Sequence, residues 1–364
     1  MESKLKELTP PFECEEGETY ITKLENQLKG YIEFLHKEVK DRMTDLDYEA
    51  IESISKNIPA AIKLYLKGES GGAYNKIQNE LHFSLHSENE ISYTLTNSKP
   101  LIRMRKSNVP FYNRKELFHI PLSQRHRVSK QRYSIDGLPC LYLAGCAYTA
   151  WLELGRPSFH DLWASAFRAT REIPVLDLCY RLDCVNEIFD KEAQLSKKSK
   201  AQLLFYPFIL ATSYRTKYPS SPFHEEYIIS NILLQWVMEN KEFAGIRYMS
   251  TKVEECGKEN LWMIANVVLP PKGNNDGADY DQYLCQNLEM TTPQQCFTLE
   301  AYSNAGTVTA SETKGGMSEF SEKGEKHLEY MDIEILNNYN ATRFYNIDGY
   351  LREYLKYSLI TQRP

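Results

Sequence analysis

The side chains best able to do chemistry crowd into residues 119–153, HIPLSQRHRVSKQRYSIDGLPCLYLAGCAYTAWLEL. A basic run leads to a turn at Asp136-Gly137, then a short apolar stretch, then a helix start bearing one glutamate, Glu153. Ala147, Ala150, Trp151 and Leu154 make an apolar stripe there, and the residue four before the glutamate is Thr149, not a cation. A carboxylate set beside apolar surface has to be paired or employed, so Glu153 is expected to be half-buried. Its ordinary alternative is a solvated helix-face glutamate. Arginines gathered near one such carboxylate suit an anionic substrate on which positive charge develops at one carbon.

Two arginines are candidates for that cluster. In LIRMR (101–105), strand alternation puts Arg103 and Arg105 on one face and turns Ile102 and Met104 to the core. A planar guanidinium clamps phosphate through two parallel hydrogen bonds, although a surface ion pair is the commoner role. Arg132 and Tyr133 come just before the turn into LPCLYLA (138–144), where a short loop can present a ligand clamp. Within that strand Tyr142 points away from Leu141 and Leu143, and at a rim it can stack on a flat ring. As a core tyrosine it does neither. Ser250 ends GIRYMS, and a hydroxyl at the C-terminal end of a strand often faces a ligand crevice. Nothing nearby resembles a nucleophile elbow or a Ser–His pair, so Ser250 is read as binding substrate. His119, His126 and His224 lack metal spacing, and His119 reads equally as a structural histidine.

The chain has 364 residues, 42% hydrophobic and 25% charged, as in an ordinary globular protein. Its net charge of −6 argues against a surface built throughout for nucleic acid. From Arg103 to Arg132, however, nine Lys/Arg stand against the single acid Glu116. That segment is a local anion site or a solvated basic face. A nucleic-acid patch is the weaker reading, because Phe111, Tyr112 and Tyr133 are its only evident stacking aromatics. The eight cysteines form no CxxC pair, so a metal site is not expected. With no signal-like N-terminus and no run of about 18 apolar residues, a cytosolic protein with reduced thiols is expected.

Periodicity predicts helices over 21–43, 53–66 and 74–85, a mainly helical N-terminal region. Short apolar runs at 138–144, 173–178, 244–250 and 263–270 read as buried strands, with helices at 146–154 and 226–240 among them. Mixed short strands and helices indicate an α+β domain. Residues 303–327 are rich in Ser, Gly, Thr, Glu and Lys and read as a linker or mobile loop. The Tyr-rich tail after them is expected to dock back on the body as strand plus helix. No GxGxxG or GxxxxGK[ST] motif occurs.

Taken in order, LIRMR (101–105), residues 118–154, FHEEYIISNILLQWV (223–237) and GIRYMST (245–251) resemble the RES family, named for its Arg, Glu and Ser. The 11-residue step from Tyr142 to Glu153 fits as well. The resemblance divides the chain into an N-terminal helical region (1–97), a RES domain (98–300) and a segment with tail (301–364). It implies an ADP-ribosyltransferase-like split β-sheet core around an NAD cleft. It further implies a toxin of a bacterial toxin–antitoxin or defence system that breaks the nicotinamide–ribose bond. NAD is then the substrate, with no cofactor, and inorganic phosphate or water attacks. By position, Arg103 and Arg132 would hold the pyrophosphate or the attacking phosphate, with Tyr133 beside them in the substrate site. Tyr142 would pack on the nicotinamide side, Glu153 would face the ribose, and Ser250 would bind near the nicotinamide. The implied partner is an antitoxin or inhibitory protein, with homo-oligomerisation left open. Transfer of ADP-ribose to a macromolecule is the alternative reaction on the same fold.

Overall fold

The computed structural model describes residues 2–84, 90–273, 275, 277–299 and 332–360. The chain begins with helices α1 (Glu2–Glu7), α2 (Tyr20–Glu38), α3 (Asp45–Leu66) and α4 (Ser70–Ser84). Strands β1 (Ser92–Leu95), β2 (Leu101–Lys106) and β3 (Leu141–Ala144) come after them, then α5 (Ala147–Glu153), β4 (Leu162–Ala169) and β5 (Ile173–Leu178). Next come α6 (Lys197–Thr212), α7 (Ile228–Glu239), β6 (Ile246–Met249) and β7 (Ala265–Leu269). The chain continues with α8 (Gln282–Asn287), β8 (Leu288–Met290) and β9 (Gln294–Gln295), and closes with α9 (Asp332–Asn337), α10 (Arg343–Gly349) and β10 (Ser358–Leu359).

The strands form one mixed sheet in the order β1-β5-β6-β7-β3-β2-β4-β8-β10, with β9 against β4. Only β5 and β6 run parallel; the other described pairs are antiparallel. Both faces are covered. One carries Ile102, Met104, Ala144 and Ile246 into a large core shared with the helices. The other carries Leu141, Leu143, Val267 and Leu269 into a smaller core with Leu117, Phe118 and Leu284. The fold is therefore α+β.

Capping starts the N-terminal helices where the sequence places hydroxyls. Thr19 accepts from the backbone N–H of Thr22, and Thr44 forms a reciprocal capping box with Asp47. Along α2, Leu24, Leu28, Tyr31 and Leu35 are buried. From Leu203 onward helix α6 is apolar on all sides, so no stripe announces it, and it packs among α2, α3 and α7. Three buried tyrosines tie it to the N-terminal region. Tyr20 Oη donates to the Ala211 carbonyl, Tyr31 Oη to Leu203, and Tyr206 Oη to Leu8, each at 2.6 Å. The region 1–97 thus shares one core with residues beyond it, and β1, which falls within that region, pairs with β5.

The tail returns to the body. Helix α10 packs on α5, Phe344 sits edge-on to Tyr148 at 5.1 Å, and β10 pairs with β8. Helix thus precedes strand. The stretch 303–327, expected to be a linker, lies outside the described residues. Among the described residues no helix is long and apolar enough to cross a membrane, and all eight cysteines are free thiols.

If tail and body share one core, removing a buried tail side chain weakens the whole fold. Ile347 is fully buried in the large cluster. Ile347→Ala should lower the unfolding free energy measured in urea by about 2–5 kcal/mol. A loss under roughly 1 kcal/mol would mean that the tail does not contribute to that core.

Candidate active site

Glu153 is the last residue of α5, and several contacts fix that short helix. Its N-cap, Cys146, follows Gly145, where an added Cβ would lie 2.0 Å from the Trp262 carbonyl oxygen. Only glycine lets the backbones approach this closely. Thr149 Oγ1 donates to the Met263 carbonyl at 2.7 Å, and Trp151 Nε1 to Pro157 at 2.8 Å. Cys146, at the N-cap, supplies no side-chain cap. The tail supplies it instead, since Asp348 Oδ1 accepts from the Ala147 N–H at 2.9 Å. Asp348 is buried, also accepts from Tyr339 Oη at 2.7 Å, and lies 3.7 Å from Arg352. Burial pushes its carboxyl up to about 6, against the pull of Arg352.

At the end of this helix the Glu153 carboxylate meets two strands. Ser250 Oγ and Asn266 Nδ2 both donate to Glu153 Oε1, each at 2.6 Å. Both donors are buried, whereas Glu153 itself is exposed, more open than the half-buried carboxylate the sequence suggested. Ser250 Oγ also accepts from the Lys252 N–H at 3.1 Å. Hydrogen bonds to charged groups are worth about 1.5–3 kcal/mol each, so the carboxylate is held in one orientation. Asn266 was not foreseen, because it sits in the apolar run MIANVVLP (263–270), where nothing marks it.

Glu153 opens into a cavity of about 500 Å³, within the ~300–1,000 Å³ range of small-molecule sites. Arg132, Tyr227 and Tyr248 line it with Glu153, as do Arg215, Lys217 and Lys252. Arg132 is held over a ring: its guanidinium carbon lies 4.7 Å from the Tyr248 ring centroid. Its Nη1 donates to the Thr212 carbonyl at 3.2 Å and its Nη2 to the Met249 carbonyl. Burial raises the hydroxyls of Tyr248 and Tyr227, so both remain protonated donors at neutral pH.

The other sequence candidates lie behind or away from this cavity. Tyr142 Oη donates to the Tyr133 carbonyl at 2.7 Å, pinning the loop that carries Arg132. Tyr133 is fully buried and packs on Tyr248 with centroids 4.4 Å apart. Neither lines the cavity; both support it from beneath. Arg103 does not join Arg132 and Glu153. It alternates with Ile102 and Met104, which face the helix-covered side, so it projects from the opposite face of the sheet. Its Nη1 donates to the Tyr142 carbonyl at 2.8 Å, its Nε is buried without a partner, and burial beside Arg105 lowers it to about 10. Alternation assigned Arg103 to a face but could not say which face holds the cavity. His119 is buried: its Nε2 accepts from the Asp281 N–H at 3.0 Å and its Nδ1 lies 2.8 Å from the Ile120 carbonyl. Among the described residues no His/Cys/Asp/Glu group could hold a metal ion.

No family model matches the chain, and no solved structure matches it. The chain is similar to a protein of Bacillus subtilis (strain 168) named "Putative toxin YopC". The two are 29% identical over 310 residues, covering 81% of this chain and 70% of the relative.

Two measurements check this geometry. Asn266→Leu removes one of the donors that orient Glu153, and in a crystal structure of the variant the Glu153 side chain should leave its wild-type position. A Glu153 side chain unmoved from that position would make Asn266 a packing residue. Asp348, whose carboxyl is raised above the usual ~3.9, binds its proton more tightly when folded. Its contribution to stability is therefore full in acid and is lost as pH rises through about 4 to 6. Wild-type protein should lose melting temperature relative to Asp348→Asn across that window. A gain over the same window would reverse the assignment.

Proposed function

We propose that this chain degrades NAD, breaking the nicotinamide–ribose bond by phosphorolysis or hydrolysis, and that it acts as a bacterial toxin. The observation that carries this reading is the convergence of Arg132 and Glu153 on one cavity, with Ser250 and Asn266 orienting the carboxylate. The RES-like order of Arg132, Tyr142, Glu153 and Ser250 supports it, as does similarity to a protein named as a toxin. The sheet between two helical and loop layers is compatible with an ADP-ribosyltransferase-like cleft.

In this reading the leaving group is already a cationic pyridinium, so no general acid is needed to expel it. Positive charge passes to the ribose carbon as the bond breaks. The fixed Glu153 carboxylate stabilises that charge or holds the ribose hydroxyls, with no reorganisation at the moment of reaction. Arg132, whose terminal nitrogens bond main-chain carbonyls, is a stationary cation for the anionic part of the substrate. The half-buried ring of Tyr227 offers stacking surface for a flat base. Phosphate or water then completes the substitution. A toxin of this kind would be held in check by an antitoxin or inhibitory protein.

Purified protein incubated with NAD, with and without inorganic phosphate, should release nicotinamide together with ADP-ribose or its phosphate. Glu153→Gln, which keeps the acceptor oxygen for Ser250 and Asn266, should slow this by about a hundredfold or more and melt like wild type. No NAD loss at stoichiometric enzyme refutes the reading. Label from NAD fixed to macromolecules would instead make the chain an ADP-ribosyltransferase.

A further inference from the structure

The cavity wall carries more positive charge than Arg132 alone. Arg215, Lys217 and Lys252 join it, and among the described lining residues the acids are Glu153 and Glu13. Glu153 is engaged by Ser250 and Asn266. Glu13 comes from a different part of the chain. Phe12, buried, pairs its backbone with the segment leaving α6: Phe12 N–H donates to Ser213 at 3.0 Å, and Arg215 N–H to Phe12 at 2.8 Å. That pairing sets the Glu13 carboxylate on Arg215 Nη1.

Arg215 is built as a receptor. Its Nε donates to the Thr251 carbonyl at 2.6 Å, which aims the remaining guanidinium nitrogens outward. Thr251 lies between Ser250 and Lys252, so this anchor is next to the group that orients Glu153. The acids that face Arg215 are highly exposed, with Glu13 at 62% and Glu254 at 76%, the latter 3.7 Å away. Exposed ion pairs contribute little and are readily exchanged. A guanidinium fork in a cavity that Lys252 also lines matches a phosphoryl group better than it matches one solvated carboxylate.

We propose that Arg215 and Lys252 form a phosphoryl-binding subsite of this cavity, and that Glu13 occupies it as an internal competitor. The ligand is the pyrophosphate of a dinucleotide or a free phosphate ion. Its link to turnover rests on the NAD reading above; its anion binding does not. The N-terminal strap thereby sets the substrate concentration at which the site fills.

The test is calorimetric titration of the full chain with inorganic pyrophosphate and, separately, with inorganic phosphate. Glu13→Gln should tighten binding about two- to fivefold, and Arg215→Gln should weaken it by roughly tenfold. With NAD, Glu13→Gln should lower KM and Arg215→Gln raise it, while kcat changes little. An effect confined to pyrophosphate assigns the subsite to the dinucleotide, and one on phosphate assigns it to the attacking ion. If Arg215→Gln melts early, Lys252→Gln, at an exposed position, carries the same test. Equal anion binding by wild type, Glu13→Gln and Lys252→Gln overturns the subsite even if NAD is consumed. Anion binding that responds to these substitutions in a protein inert toward NAD sinks the NAD reading and leaves the subsite standing.

Discussion

One carboxylate oxygen, Glu153 Oε1, accepts from two side chains on separate stretches of chain, and the site depends on that junction. Ser250 comes directly after β6 and Asn266 lies within β7. The pairing of Met249 with Ala265 and Tyr248 with Asn266 brings both donors to one end of the sheet. The same register turns Tyr248 toward Arg132. A slip of one residue would send Asn266 to the opposite face and break the junction. The placement of this carboxylate thus rests on sheet register more than on any loop.

The remaining elements hold the helix that brings Glu153 to this point. Asp348 caps α5, Tyr148 Oη donates to Asp332, and Arg352 donates to the Gly145 carbonyl at 2.6 Å, so the tail braces both ends of the β3–α5 turn. On the other side, the N-terminal helices grip α6, whose end supplies the Thr212 carbonyl that fixes Arg132. The two flanks thereby set the two charged groups relative to each other. A fixed pair of opposite charges facing a cavity is what a reaction developing positive charge beside an anionic substrate requires.

Much of this was legible in the sequence. The helical stripes of α2 and α3, the run of strand, turn and helix from Tyr142 to Glu153, and the serine closing β6 all carried local signals. Other features left none. Helix α6 is apolar on every side after its lysine-rich first turns and holds Pro207, so it shows neither stripe nor uninterrupted propensity. Strand β4, LWASAFRA, is small-residue rich and lacks the β-branched residues that mark strands. Asn266 sits unmarked in an apolar run, and Arg103 reads as a partner of Arg132 because period-two alternation separates faces without saying what covers each. Gly145 and Asp348 act through contacts distant in sequence, which no local pattern reports.

The most direct test of the central claim is a crystal structure of the Glu153→Gln protein with NAD. The account predicts the nicotinamide riboside between Arg132, Tyr248 and position 153, with its ribose against the side chain that Ser250 and Asn266 hold. NAD bound elsewhere, or an empty cavity at saturating NAD, would contradict it.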